Sequence, residues 1–118
     1  MKVERGEIWL ANLDPTKGSE QAGTRPIIIF QENTISKFTS TIITIPLTTN
    51  LRRAALPSCL LISNGQGGLN QDSVALCHQL RVLDKTRLIK RLGQLDINAI
   101  AELERTVLFT LGYQMSLQ

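Results

Sequence analysis

Gly18-Ser19-Glu20-Gln21-Ala22-Gly23-Thr24-Arg25-Pro26 runs without a break into Ile27-Ile28-Ile29-Phe30, so a polar, glycine-hinged loop feeds directly into an apolar strand. Glycines let such a loop fold tightly and bring backbone N–H groups close to a ligand. Pro26 biases Arg25 toward an extended backbone, so the guanidinium is expected to project from a fixed strand mouth. Its planar fork of donors suits a phosphate, because it can engage two oxygens at once. A phosphate-handling loop and a mobile polar hairpin loop both satisfy this spacing.

Outward from that stretch the chain reads as short strands with loops between them. Glu7 to Leu13 alternates loosely and predicts a first strand, Asp14 to Thr24 is loop, and Pro26 to Gln31 is a continuous apolar strand. Thr41 to Leu47 is β-branched and predicts a third strand, whose end Pro46 places at an edge or bulge. Thr48 to Ala55 reads as loop, Pro57 to Ile62 as a fourth strand, and Ser73 to Leu83 as a fifth, bent near Gln79. Asp84 to Arg87 predicts a turn or one helical turn, and Leu88 to Leu95 a further strand. Asp96 stands where an N-cap belongs, ahead of Ile97, Ile100, Leu103, Val107, Leu108 and Leu111 at helical spacing, with Gly112 as terminator. The expected fold is mainly β with a C-terminal α-helix, a small, strongly curved barrel with the helix packed on it. A barrel this small buries little surface, so the helix stripe could serve the sheet alone or extend to a second subunit.

The 118 residues are expected to form one domain, 1–118, and 42% hydrophobic with 19% charged residues fits a folded chain rather than a disordered one. The first residues are charged, with no apolar run after them, which predicts no secretory signal. Apolar runs reach about five residues, against roughly 20 for a membrane helix, so a cytoplasmic protein with no membrane association is expected. A net charge of +3 permits nucleic-acid binding without demanding it. Arg81, Lys85, Arg87, Lys90 and Arg91 crowd one segment with only Asp84 opposed, which fits either a phosphate-neutralising patch or a solvated face. Cys59 and Cys77 stand apart with one histidine in the chain, so two buried, inert thiols are expected and no metal site. Trp9, Phe30, Phe38, Phe109 and Tyr113 are too scattered for a stacking platform, and Trp9 is expected in the core.

Four ordered blocks carry a family resemblance from about Val3 to Gly112. Arg5-Gly6-Glu7-Ile8-Trp9, Asp14-Pro15-Thr16-Lys17-Gly18-Ser19-Glu20-Gln21-Ala22-Gly23 and Arg25-Pro26 resemble the opening of the MazF/PemK/Kid-type toxins. Pro46-Leu47-Thr48-Thr49-Asn50, Asp72-Ser73-Val74-Ala75, Gln79-Leu80-Arg81 with Asp84-Lys85, and Leu111-Gly112 agree. The resemblance implies a homodimeric SH3-like (CcdB/MazF-type) barrel, the ribonuclease half of a toxin–antitoxin pair. It also implies metal-independent cleavage of single-stranded RNA at short motifs, with no cofactor. In that chemistry the ribose 2′-OH attacks its own phosphodiester and leaves a cyclic phosphate and a 5′-OH. Carried over by motif, Arg25 matches the catalytic arginine and Thr48 the catalytic threonine. The implied protein partner is a cognate antitoxin with a flexible acidic segment.

Arg25 stays protonated in proteins, so its expected role is to bind the charge that builds on phosphorus rather than to act as a base. Thr48 ends a strand, and its hydroxyl can donate to a phosphate or bond its own backbone. Glu20 is the candidate for proton transfer or for reading a base edge, and a solvent-facing loop acid is its other reading. Ser19, Gln21, Ser73 and Gln79 are candidates for hydrogen bonds to unstacked RNA bases. His78 departs from the family, which often has an acid beside the glutamine, so the recognised RNA motif is not carried over. Two other functions share the fold: a CcdB-type gyrase poison and a non-catalytic interaction module. The first depends on a tryptophan close to the C-terminus, and the ending Tyr113-Gln114-Met115-Ser116-Leu117-Gln118 has none. Retention of Arg25 with Thr48 counts against the second.

Overall fold

The computed structural model describes residues 2–113, so the tail 114–118, on which the expectation against a gyrase poison rests, lies outside the described residues. Seven strands form: β1 (Glu7–Asn12), β2 (Thr24–Ile29), β3 (Thr41–Thr48), β4 (Cys59–Ile62), β5 (Ser73–Leu76), β6 (Arg81–Asp84) and β7 (Leu88–Gln94). Helix α1 (Asn33–Ser36) is one short turn that the sequence reading passed over, and α2 (Ile97–Thr110) is the terminal helix. The strands are antiparallel in the order β4-β5-β3-β2-β1-β7, with β6 also paired to β3.

Two expectations need correction. The run Ser73 to Leu83 is not one bent strand. It breaks at the 3-10 turn Cys77–Gln79 into β5 and β6, which pair with opposite ends of β3. Pro46 does not mark an edge, because β3 is central. Thr41–Thr44 pairs with β6, Leu47 and Thr48 pair with β5, and Pro46 falls in the gap between the two ladders, where no donor is needed.

The apolar run in β2 is explained by two cores on opposite faces of the same sheet. Ile8, Ile28 and Ile45 line up across three strands and are fully buried on one face, under Leu95, Leu103 and Val107. Ile27 and Ile29 point the other way, to join Trp9, Ala11, Leu13, Ile42, Leu83 and Leu88 inside the curl of the sheet. Each such side chain stabilises the fold by about 1.5–3 kcal/mol through apolar burial. Alternation is therefore present in the structure and hidden in the sequence, since both faces are dry.

The hydrogen-bonded path does not close into a ring, for β4 and β7 remain its two ends. The gap is closed by packing. The turn Gln66–Gly68 presses its backbone against Leu92 and Gly93, so close that a Cβ on Gly68 would lie 2.0 Å from the Leu92 carbonyl oxygen. A Cβ on Gly93 would lie 2.4 Å from the Gly67 carbonyl carbon. Helix α2 then caps the assembly. Asp96 accepts the Ala99 N–H at 2.8 Å as N-cap. At the other end Tyr113 N–H bonds Leu108 O and Gly112 N–H bonds Phe109 O, a Schellman closure with Gly112 at φ 81°. The helix stripe is narrower than its spacing suggested. Leu103 and Val107 are buried, while Ile97, Phe109 and Leu111 stay exposed.

Glu7 is a buried carboxylate with three donors: the Glu4 N–H at 2.8 Å, Trp9 Nε1 at 3.0 Å and Arg91 Nε at 2.7 Å. Burial by itself raises its pKa, but the bonds from Trp9, the Glu4 backbone and Arg91, with the charge of Arg91, outweigh it and hold the group below its ordinary value.

Two outcomes follow from this packing. Gly93→Ala should cost on the order of 1–3 kcal/mol through forced displacement of the 67–68 backbone, read as a drop of several degrees in Tm. Glu7, depressed when folded, contributes stability that is complete above its ordinary pKa of 4.5 and is lost as pH falls through its lower folded value. The Tm difference between wild type and Glu7→Gln should therefore shrink on acidification below that range; a gap that widens would contradict the assignment.

Candidate active site

The site is assembled where β2 and β3 stop pairing. Their last paired residues are Ile27 and Pro46. Arg25 pairs with Ala11 of β1 and Thr48 with Val74 of β5; the β2–β3 register, if carried two residues further, would set the two opposite each other on one face. Arg25 is exposed, and its Nε donates to the Ala22 carbonyl at 3.1 Å. Among the described residues its terminal guanidinium nitrogens have no hydrogen-bond partner. Thr48 is half-buried, and its Oγ1 accepts the Asn50 N–H at 3.2 Å, which leaves the hydroxyl proton free to donate.

The loop between β1 and β2 is held over this gap by side chains rather than by a ladder. Gln79 grips it twice: its Oε1 accepts the Gln21 N–H at 2.6 Å and its Nε2 donates to the Ser19 carbonyl at 3.2 Å. Gln21 in turn donates from Nε2 to the Leu47 carbonyl at 3.0 Å, beside Thr48. At the loop's base Leu13 N–H bonds Gly23 O and Gly23 N–H bonds Asp14 Oδ1. Arg81 donates to Leu13 O at 3.4 Å, and Arg87 donates to Asn12 O at 3.2 Å and to Asp14 O.

The candidates named from sequence thus fall into different places. Ser19, Gln21 and Gln79 are joined to one another and to Leu47, the residue before Thr48, but the amides of Gln21 and Gln79 are engaged with backbone. Glu20 is exposed and folds back on its own turn, where its Oε1 accepts the Lys17 N–H at 2.6 Å. Ser73 is only 3% exposed and its Oγ donates to Gln71 O at 3.2 Å, so its hydroxyl is not presented with the others. The basic segment is largely consumed by structure. Arg81 and Arg87 hold loop carbonyls, Lys85 Nζ donates to Ser36 O at 2.6 Å, and Arg91 pairs with Glu7.

His78 lies next to Gln79 on the same turn. Its Nδ1 is 2.9 Å from Ser58 Oγ, and its Nε2 is 3.5 Å from Arg53 Nη2. Arg53, Asn50 and Ser58 were not singled out from sequence. The one local signal was Asn50 ahead of the 3-10 turn Leu51–Ala55, where its Oδ1 caps the Arg52 N–H at 3.3 Å. Cys59 and Cys77 are buried and free, and burial, with Cys59 nearby, pushes the Cys77 thiol up to about 12, so it is inert at neutral pH. Among the described residues no group of three or more His, Cys, Asp or Glu side chains is placed to hold a metal ion.

Comparison with known proteins agrees with this architecture along nearly the whole chain. The family described as PemK-like, MazF-like toxin of type II toxin–antitoxin system matches residues 4–111. Endoribonuclease MazF of Staphylococcus saprophyticus subsp. saprophyticus is 36% identical over 110 residues, covering 93% of this chain and 92% of the relative. The Staphylococcus epidermidis protein of the same name matches equally. Among solved structures, MazF from Deinococcus radiodurans superposes with a TM-score of 0.82 at 22% identity, over 95% of this chain and 98% of that one. An endoribonuclease from a mycobacterial species, solved in complex with its cognate antitoxin, gives 0.78 at 19% identity, over 95% and 97%. The curled sheet, its capping helix and the matched residues together establish that the chain belongs to the PemK-like, MazF-like toxin family of type II toxin–antitoxin systems.

Proposed function

We propose that this toxin is an endoribonuclease that cuts single-stranded RNA without a metal ion, by attack of the ribose 2′-OH on the adjacent phosphodiester. The products are a 2′,3′-cyclic phosphate and a 5′-OH. What supports this reading is the β2–β3 register, which, extended two residues past its last pair, would set Arg25 opposite Thr48 on one face. A guanidinium with unengaged terminal nitrogens and a hydroxyl with a free proton are the donors that an in-line displacement needs around its phosphorane oxygens. Their orientation is set in advance, Arg25 by Ala22 and Thr48 by Asn50.

Glu20 is the loop's candidate for proton transfer. Its Oε1 holds the Lys17 N–H, and its second oxygen, Oε2, is the one left to accept a proton or a base-edge donor. Gln79 and Gln21 position the loop, and bases are read by the exposed groups that the loop presents, Ser19 among them. Ser73 contributes to the fold of its turn instead of to RNA contact.

The relatives also support a protein partner. The mycobacterial enzyme was solved with its cognate antitoxin, and MazE–MazF from Deinococcus radiodurans matches with a TM-score of 0.77. An antitoxin with an acidic, flexible segment suits a chain of net charge +3, and would gain order on binding. The exposed apolar positions Phe109 and Leu111 at the end of α2 support a homodimer. No helix among the described residues is long and apolar enough to cross a membrane.

Purified protein in excess EDTA should cut a long RNA at one short motif and leave cyclic-phosphate and 5′-OH ends. Arg25→Lys and Thr48→Ala should each lower kcat by about 10²–10³ without moving Tm. Undiminished turnover in either variant, or 3′-OH products, would contradict the mechanism. Gln79→Leu removes both grips on the loop. Amide exchange at Gln21 should then accelerate and kcat fall, and a Gln21 amide protected as in wild type would refute the clamp.

A further inference from the structure

The turn Leu51–Ala55 and the turn Cys77–Gln79 are the two flanks of the site, one following Thr48 and the other carrying Gln79. Between them, Arg53 Nη2 comes to 3.5 Å from His78 Nε2. A guanidinium can only donate, so the imidazole nitrogen facing it accepts. In the neutral ring the proton then sits on Nδ1 and donates to Ser58 Oγ at 2.9 Å. His78 is thereby fixed at both nitrogens and aims Arg53.

Arg53 is half-buried, yet among the described residues no carboxylate pairs with it. Its surroundings explain why: residues 34–71 contain no Asp or Glu, and neither do residues 73–83. The walls that flank Thr48 and Gln79 thus carry Arg52, Arg53 and His78 and no acid. Its backbone is tied to the site as well, for Arg53 N–H bonds Asn50 O at 3.1 Å, and Asn50 N–H bonds the Thr48 hydroxyl. A partly desolvated arginine, without a counterion and on the rim of a phosphodiester site, is a binding group for another anion.

We propose that Arg53, held in place by His78, forms a subsite for one backbone phosphate of the RNA next to the linkage that is cut. This rests on the ribonuclease reading of the site and extends it to how the strand is held. Arg53 binds the flanking phosphate, and His78 is a positioning residue that acts through Arg53.

The test uses the full-length protein and an RNA made uncleavable by a 2′-deoxyribose at the scissile nucleotide. Its other linkages are replaced, one at a time, by neutral methylphosphonates. Wild type should lose about ten-fold in affinity at one flanking linkage. Arg53→Gln should bind the unmodified RNA about ten-fold more weakly, be indifferent to that same linkage, and show a salt slope shallower by about 0.7. His78→Leu should raise KM in the same direction, whereas His78→Gln, whose amide oxygen can accept from Arg53, should restore it. Additive losses at every linkage, or unchanged RNA affinity in Arg53→Gln, would overturn the subsite. So would a loss confined to binding of an acidic peptide, which would assign the patch to a protein partner. If wild type binds this RNA but leaves the all-ribose RNA uncut, the ribonuclease reading fails while the linkage-specific result still decides the subsite.

Discussion

The division of β3 between two partners on one edge is the constraint from which the rest of the molecule follows. β2 occupies one side of the strand, while β6 takes the first half of the other side and β5 the second. No flat sheet can satisfy that arrangement. The chain between β5 and β6 must turn sharply at Cys77–Gln79, and the sheet must curl so that β6 and β7 fold over the face opposite α2. The curl makes two dry cores out of one sheet. It also leaves the end of β3, paired with β5 but not with β2, as the place where a polar loop can be seated.

The candidate site is accordingly a place where backbone pairing has given way to side chains. Gln21 fills the hydrogen-bonding role of a missing ladder residue at Leu47, and Gln79 does the same for the loop itself. Stability of this kind is local, and the loop opens at lower cost than the strands that flank it. The hinge between β5 and β6, where the chain passes from one end of β3 to the other, also supplies both Gln79 and His78. Folding and site geometry therefore depend on the same few residues.

Much of this was legible in the sequence. Six strand positions, the Asp96 cap, the Gly112 terminator and the terminal helix followed from hydrophobic runs and punctuation. The break after Leu76 was hidden because Cys77, Leu80, Val82 and Leu83 continue the apolar run, and a 3-10 turn leaves no mark on such a pattern. The central position of β3 was hidden because a proline reads as an edge signal, whereas here it occupies a gap between two partners. At the site, Arg25, Thr48, Gln21 and Gln79 were all named, and the structure joins Gln21 to Gln79 and to Leu47, the residue before Thr48. Their roles divided only in three dimensions, because a carboxamide that binds a base and one that binds a loop carbonyl are identical in sequence. Arg53 escaped notice because nothing local distinguishes it from Arg52; only the imidazole across the turn does.

Beside Thr48 the grip on the loop is made by two carboxamides, while Arg81, Arg87 and Asp14 hold its base, and a carboxamide carries no charge and does not titrate. Changes in ionic strength that alter the attraction of a polyanion act on the arginines of the site but leave this grip untouched. Acidification likewise acts on Glu7, at the foot of β1, and leaves Gln21 and Gln79 unprotonated. At the part of the loop next to Thr48 the chain thus separates the forces that gather a ligand from the forces that hold the backbone in place, and medium conditions can tune the first without loosening the second.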